Sequence, residues 1–113
     1  MKKLSETLKE LGIAFVLPIE IKDSNGNMTY YEDSDGFWHK YEYDSKDNET
    51  YYEDSGNFWC RTEYDSSGKK TYYENSDGLW YKSEYDSDGE VSYHEASTGE
   101  KIGTPKNKTL WNY

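Results

Sequence analysis

The stretch "EYDSSGKKTYYENSDGLWYKSEYDSDG", residues 63–89, opens and closes on one phrase, Glu-Tyr-Asp-Ser, whose two copies start 21 residues apart, at Glu63 and Glu84. Reading outward from it, the chain from Asp23 onward divides into "DSNGNMTYYEDSDGFWHKYEY", "DSKDNETYYEDSGNFWCRTEY", "DSSGKKTYYENSDGLWYKSEY" and a partial "DSDGEVSYHEASTGEKIG". Self-similarity at a fixed period outranks every other fold signal. A finer rhythm runs inside each copy, because Ser24, Ser34, Ser45, Ser55, Ser66, Ser76, Ser87 and Ser97 alternate at ten and eleven residues. Two positions after each serine stands Gly26, Gly36, Asp47, Asn57, Gly68, Gly78, Gly89 or Gly99. Hairpin turns that need a left-handed residue take Gly there and tolerate Asn or Asp.

Eight such turns leave segments of about five to seven residues, the usual length of strands. The expected fold is mostly β: an antiparallel β-meander of about eight or nine strands, built from 21-residue hairpin repeats behind a short N-terminal helix. A lone hairpin is marginal in water, so the copies depend on one another. The last copy has lost its Trp strand, as a terminal capping repeat would.

Composition agrees with an unconventional interior. Hydrophobic residues make up only 33% of the 113, and 13 Tyr, 4 Trp and 3 Phe account for most of them. Aliphatic side chains for a large dry core are therefore scarce. Low hydropathy and a net charge of -10 would suggest disorder, but a chain that is 18% aromatic does not fit that class. Residues 23–100 hold 20 of the 23 acids and 6 of the 13 bases, which is -14. Such a body does not bind nucleic acid by charge. Cys60 is the single cysteine, which excludes an intramolecular disulfide and fits a reducing cytoplasm. No segment reaches transmembrane length, and Glu6 and Glu10 spoil a signal-peptide reading of the stretch that follows them.

Residues 1–22 are expected to form a cap, 23–100 the hairpin body and 101–113 a basic tail, in one domain overall. Ser5 is placed to cap a helix running through Glu10, with Leu4, Leu8 and Leu11 on one stripe and Gly12 at its end. The stretch "IAFVLPIEIK", residues 13–22, reads as an edge strand that begins the sheet.

Period-two geometry puts Trp38, Lys40 and Glu42 on one face of the strand over 37–43, and Phe37, His39, Tyr41 and Tyr43 on the other. The first set recurs as Trp59, Arg61, Glu63 and as Trp80, Lys82, Glu84; the preceding strands add Tyr30/Glu32, Tyr51/Glu53, Tyr72/Glu74 and Tyr93/Glu95. Cross-strand pairs of this kind contribute about 0.2–1 kcal/mol each and can hold a sheet without a second layer. The same rings could serve as platforms for sugars, quaternary amines or bases. The candidate partner-binding residues are Trp38, Trp59, Trp80, Glu42, Glu63, Glu84, Glu32, Glu53 and Glu74.

Catalytic and metal chemistry are not expected. The Asp turns lack the twelve-residue ligand set of a calcium loop and are explained by side-chain bonding to the turn backbone. His39 and His94 each stand where another copy has Tyr or Cys. Acids repeated in the same environment make poor general acid-base pairs, which need two different environments. Neither an enzyme activity nor a cofactor is predicted.

The phrases Tyr43-Asp44-Ser45, Tyr64-Asp65-Ser66 and Tyr85-Asp86-Ser87 resemble YD repeats, and more closely the small phage and prophage proteins made of tandem Tyr-Asp-Ser-x-Gly hairpins. The resemblance covers residues 4–100. Taken with the acidic, aromatic sheet, it implies a phage-type inhibitor of a nucleic-acid-handling host defence protein, of the anti-CRISPR kind, that imitates nucleic acid in a basic groove. A carbohydrate- or cell-wall-binding aromatic module and a phage structural or assembly protein are the alternatives. The expected partner is a basic protein, such as a nuclease, with no direct nucleic acid and no membrane; self-pairing through sheet edges would give a homodimer.

Overall fold

The computed structural model describes residues 2–104; most of the basic tail expected over 101–113 lies outside them. Helix α1 (Leu4–Glu10) precedes nine strands: β1 (Ile19–Lys22), β2 (Met28–Glu32), β3 (Trp38–Tyr43), β4 (Glu49–Asp54), β5 (Trp59–Tyr64), β6 (Lys70–Asn75), β7 (Trp80–Tyr85), β8 (Val91–Ala96) and β9 (Lys101–Gly103). They form one antiparallel sheet in chain order, the β-meander that the repeat demands. The chain gathers into two compact units, Met1–Trp59 and Cys60–Tyr113.

Each turn is set by its first residue. Asp23 Oδ1 accepts the N–H groups of Asn25 and Asn27, both at 2.9 Å. Asp33, Asp44, Asp54, Asp65, Asn75 and Asp86 make the same pair of bonds in their own turns. The eighth turn has Ala96 instead and keeps only the backbone bonds, Gly99 N to Ala96 O and Ala96 N to Glu100 O, each 3.0 Å. The two non-glycine exceptions adopt the left-handed conformation, with φ of 64° at Asp47 and 66° at Asn57.

Pairing is uneven along the sheet. β3 and β4 share five register pairs, from His39↔Asp54 to Tyr43↔Glu49, whereas β2 and β3 share three. β7–β8 and β6–β7 repeat the contrast. Where the short seams run out, a tyrosine closes them: Tyr43 Oη donates to Met28 O at 2.8 Å, and Tyr85 Oη to Lys70 O at 2.7 Å. That is the structural work of the Tyr in the Tyr-Asp phrase. Turn serines extend the long pairings: Ser55 N donates to Trp38 O at 2.9 Å while Trp38 N donates to Ser55 Oγ at 3.2 Å, and Ser97 does the same with Trp80.

A bulge recurs that the sequence reading did not anticipate. The register passes from Glu42↔Tyr51 to Tyr43↔Glu49, leaving Thr50 unpaired, and skips Thr29, Thr71 and Ser92 in the same way. The signal was present: Thr or Ser holds this place in every copy while its neighbour varies among Met, Glu, Lys and Val.

Two N-terminal expectations need correction. Ser5 is not the helix cap; Lys3 holds that position without a side-chain bond, and Ser5 turns inward to a buried carboxylate. The first strand begins at Ile19, not Ile13, because Pro18 has no N–H to give the ladder and pairing starts at Ile19↔Glu32. Gly12 does end the helix, at φ 69°, with Gly12 N bonded to Lys9 O and Ile13 N to Leu8 O. Leu4 and Leu8 are half-buried, but Leu11 is exposed.

The turn carboxylates tie stability to pH. Bonds from the Asn27 and Asn48 backbones hold Asp23 and Asp44, respectively, below the ordinary carboxylate range. A depressed folded pKa gives stability that is present above the unfolded value and lost as pH falls through the folded one. The melting temperature should therefore drop below about pH 4. Asp23→Asn with Asp44→Asn should flatten that acid limb while keeping the turns, as Asn75 does naturally. A second measurement tests the seams: Tyr43→Phe should cost about 1 kcal/mol in urea denaturation, the usual net worth of one hydrogen bond.

Candidate functional site

Register and alternation assign the candidate residues to one face. Tyr30 lies opposite Lys40 and Glu32 opposite Trp38; Lys40 faces Glu53 and Glu42 faces Tyr51. In the second unit Arg61 faces Glu74, Glu63 faces Tyr72, Glu74 faces Trp80 and Glu84 faces Tyr93. Within each unit the tryptophans and their acids therefore share one face, the tryptophan face.

That face is wired internally through a Tyr-x-Glu bond. Side chains two apart on a strand share a face, so Tyr30 Oη reaches Glu32 Oε1 at 2.9 Å and Tyr51 Oη reaches Glu53 Oε1 at 3.0 Å. Tyr93 donates to Glu95 likewise. Cations lie over the rings: Lys40 Nζ is 5.7 Å from the Tyr51 centroid, the Arg61 guanidinium 5.4 Å from Tyr72, and Lys82 Nζ 4.9 Å from Trp80. Arg61 also pairs with Glu74 at 2.7 Å, and Lys40 with Glu53 at 4.0 Å. Tyr30 stacks near Trp38 and Tyr51 near Trp59, with centroids 6.4 and 6.5 Å apart.

The helix completes this arrangement in the first unit. Glu32 is 1% exposed and accepts the Ser5 N–H at 3.0 Å, the Ser5 hydroxyl and the Tyr30 hydroxyl. Tyr30 Oη in turn accepts the Leu4 N–H at 3.0 Å. Burial pushes the Glu32 carboxyl up, yet the Ser5 and Tyr30 bonds and the Lys3 charge outweigh it and hold it below its ordinary value. The Tyr30 hydroxyl is pushed up to about 12, chiefly by burial.

The nine candidates thus separate. Glu32 and Trp38 are buried within the chain, Glu53 and Glu74 are engaged by tyrosines and cations, and Trp59 and Trp80 are half-buried. Glu42 and Glu63 are exposed, and Glu84 is half-buried. The isolated residue patterns do not carry this division, since Glu32, Glu53 and Glu74 follow the same Tyr-x-Glu spacing.

The opposite face holds a second cluster, absent from the candidate residues. In the first unit His39 is ringed by Tyr31, Phe37, Tyr41 and Tyr52, with centroid distances of 5.1, 5.4, 5.1 and 6.1 Å. His39 Nδ1 and Tyr41 Oη are 2.8 Å apart. In the second unit Tyr73 stacks on Tyr81 at 5.3 Å, and Ser83 Oγ lies 2.9 Å from His94 Nδ1. Ser83 is 4% exposed, which closes it to an attacking geometry on a substrate. Among the described residues no group of three or more His, Cys, Asp or Glu is placed to hold a metal ion, and no helix is long and apolar enough to cross a membrane.

No protein-family model matches the chain, and no curated protein matches it.

The helix latch yields a direct test. Glu32→Ala would leave the Ser5 N–H, the Ser5 hydroxyl and the Tyr30 hydroxyl without their acceptor, at a cost of about 2–4 kcal/mol. Hydrogen exchange should accelerate across residues 4–11 in this variant, and Ser5→Ala should show a smaller effect in the same segment. Unchanged protection of the helix in Glu32→Ala would refute the latch.

Proposed function

We propose that the protein is a non-enzymatic, acidic binding protein, of phage type and acting in the cytoplasm, that occupies the nucleic-acid groove of a basic host defence enzyme. The observation that carries this reading is how the body's charge is held. The turn acids are fixed by backbone N–H groups, with Asp23 and Asp44 kept below the ordinary carboxylate range. Backbone donors are the first cause of both shifts, and Lys46 adds to that of Asp44; over the whole body 20 acids against 6 bases leave -14. Turns on one side of the sheet recur every second strand, about 10 Å apart. A basic groove shaped for phosphates meets a regular series of fixed anions, and such complementarity steers encounter and sets specificity.

The partner-facing acids on this reading are Glu42, Glu63 and Glu84 together with the turn carboxylates. Glu32, Glu53 and Glu74 act within the sheet.

Competition on a basic nucleic-acid enzyme with short duplexes, at two salt concentrations, tests the proposal. The protein should displace the duplex, bind no duplex itself, and lose roughly tenfold in affinity as salt rises from low to physiological strength. Glu42→Gln with Glu63→Gln and Glu84→Gln should weaken binding while preserving the melting temperature. Tight binding indifferent to salt would count against the charge-based reading, and binding to a sugar polymer alone would favour a carbohydrate module.

A further inference from the structure

We propose that the tyrosine–histidine face of the first unit, centred on His39, is a docking surface for arginine side chains of a basic partner protein. This rests on the reading of the partner as basic and adds which face and which cation.

The two faces differ in where their cations come from. On the tryptophan face the chain supplies its own, with Lys40, Arg61 and Lys82 placed over Tyr51, Tyr72 and Trp80. In the second unit Lys69 Nζ lies 5.3 Å from the Tyr85 ring, on the other face. On the tyrosine–histidine face of the first unit, β2, β3 and β4 place no Lys or Arg, since Lys40, the only one on these strands, points to the tryptophan side; at the margins stand Lys22, two residues from Glu20 on the edge strand, and Lys46 in the β3–β4 turn, whose charge acts on Asp44. The rings of Tyr31, His39, Tyr41 and Tyr52 nevertheless remain partly exposed, and Phe37 is 42% exposed.

Carboxylates flank those rings. Glu20, exposed, is the register partner of Tyr31 at the edge strand. Asp54 Oδ2 accepts the Tyr52 hydroxyl at 2.9 Å. Glu49 lies near enough to Tyr41 and Tyr43 to add its charge to the burial that raises both hydroxyls. Faces of aromatic rings bordered by acids form a receptor for a planar cation. Residues 23–59 carry ten acids and two bases, a local -8. Guanidinium stacks on rings and forks onto carboxylates, while ammonium is a strongly hydrated point charge; the face should therefore prefer Arg to Lys.

The sheet itself provides mild variants. Position 41 corresponds to Thr62 in β5 and Ser83 in β7, so Tyr41→Thr and Tyr41→Ser install residues that this fold already carries there. Oligo-arginine and oligo-lysine peptides of equal length, titrated into the full chain at one salt concentration, are the probes. The arginine peptide should bind about fivefold more tightly and shift the resonances of Tyr31, His39 and Tyr41. In either variant its affinity should fall to that of the lysine peptide, whose own binding should hardly change.

Equal affinity for the two peptides, no binding of either, or shifts confined to the surroundings of Glu42 and Glu63 would overturn the inference. So would a soluble glucan that shifts the same resonances without any arginine preference. Arginine-selective binding at His39 by a protein that fails to displace duplex from a basic enzyme would sustain the docking face and sink the nucleic-acid-groove reading. Displacement undiminished in Tyr41→Thr would do the reverse.

Discussion

A carboxylate oxygen that accepts two backbone N–H groups within a five-residue turn sets the spacing of this sheet. Six of the eight turns use it, through Asp23, Asp33, Asp44, Asp54, Asp65 and Asp86, and the amide oxygen of Asn75 does the same in a seventh. Satisfying two donors with one short side chain fixes the loop locally and sets where the flanking strands begin to pair. At Asp23 and Asp44 the same bonds hold the carboxyl below its ordinary range. Structure and surface charge therefore have one origin.

Between turns, the fold manages with few buried side chains by making each face do separate work. Phrases such as Tyr51-Tyr52-Glu53-Asp54 interleave two Tyr–acid bonds, one per face, Tyr51 to Glu53 and Tyr52 to Asp54. On the tryptophan face these bonds join with cations and stacked rings. Among the described residues only Tyr30, Trp38, Tyr93 and Ala96 are buried hydrophobics. Cross-strand and same-strand side-chain pairs, each small, replace the aliphatic core that the composition rules out.

This economy shapes what a partner would meet. Acids of the Tyr-x-Glu series are absorbed by the sheet, and one of them, Glu32, docks the helix. Beyond that series Glu42 and Glu63 are exposed, and the aspartates that close the turns are half-buried. A partner that approached the tryptophan face of the first unit would find Trp38 and Glu32 already buried, whereas the His39 side offers partly exposed rings without cations on β2, β3 or β4.

The sequence by itself determined the hairpin strands after Asp23, their order and their two faces, because turn geometry and period-two alternation are local: Gly, Asp47 or Asn57 in the left-handed position fixes each reversal, and alternation then sorts Trp38 from His39. It did not determine that Ser5 abandons the helix cap for Glu32, 27 residues away, or that His39 gathers four aromatic neighbours drawn from three strands and a turn. Nor could it divide the acids, since Glu32 and Glu53 occupy the same motif and differ in what packs over them. Those outcomes were decided by tertiary structure, because burial and hydrogen-bond competition depend on which distant groups the sheet brings together, and no local rule of spacing encodes that.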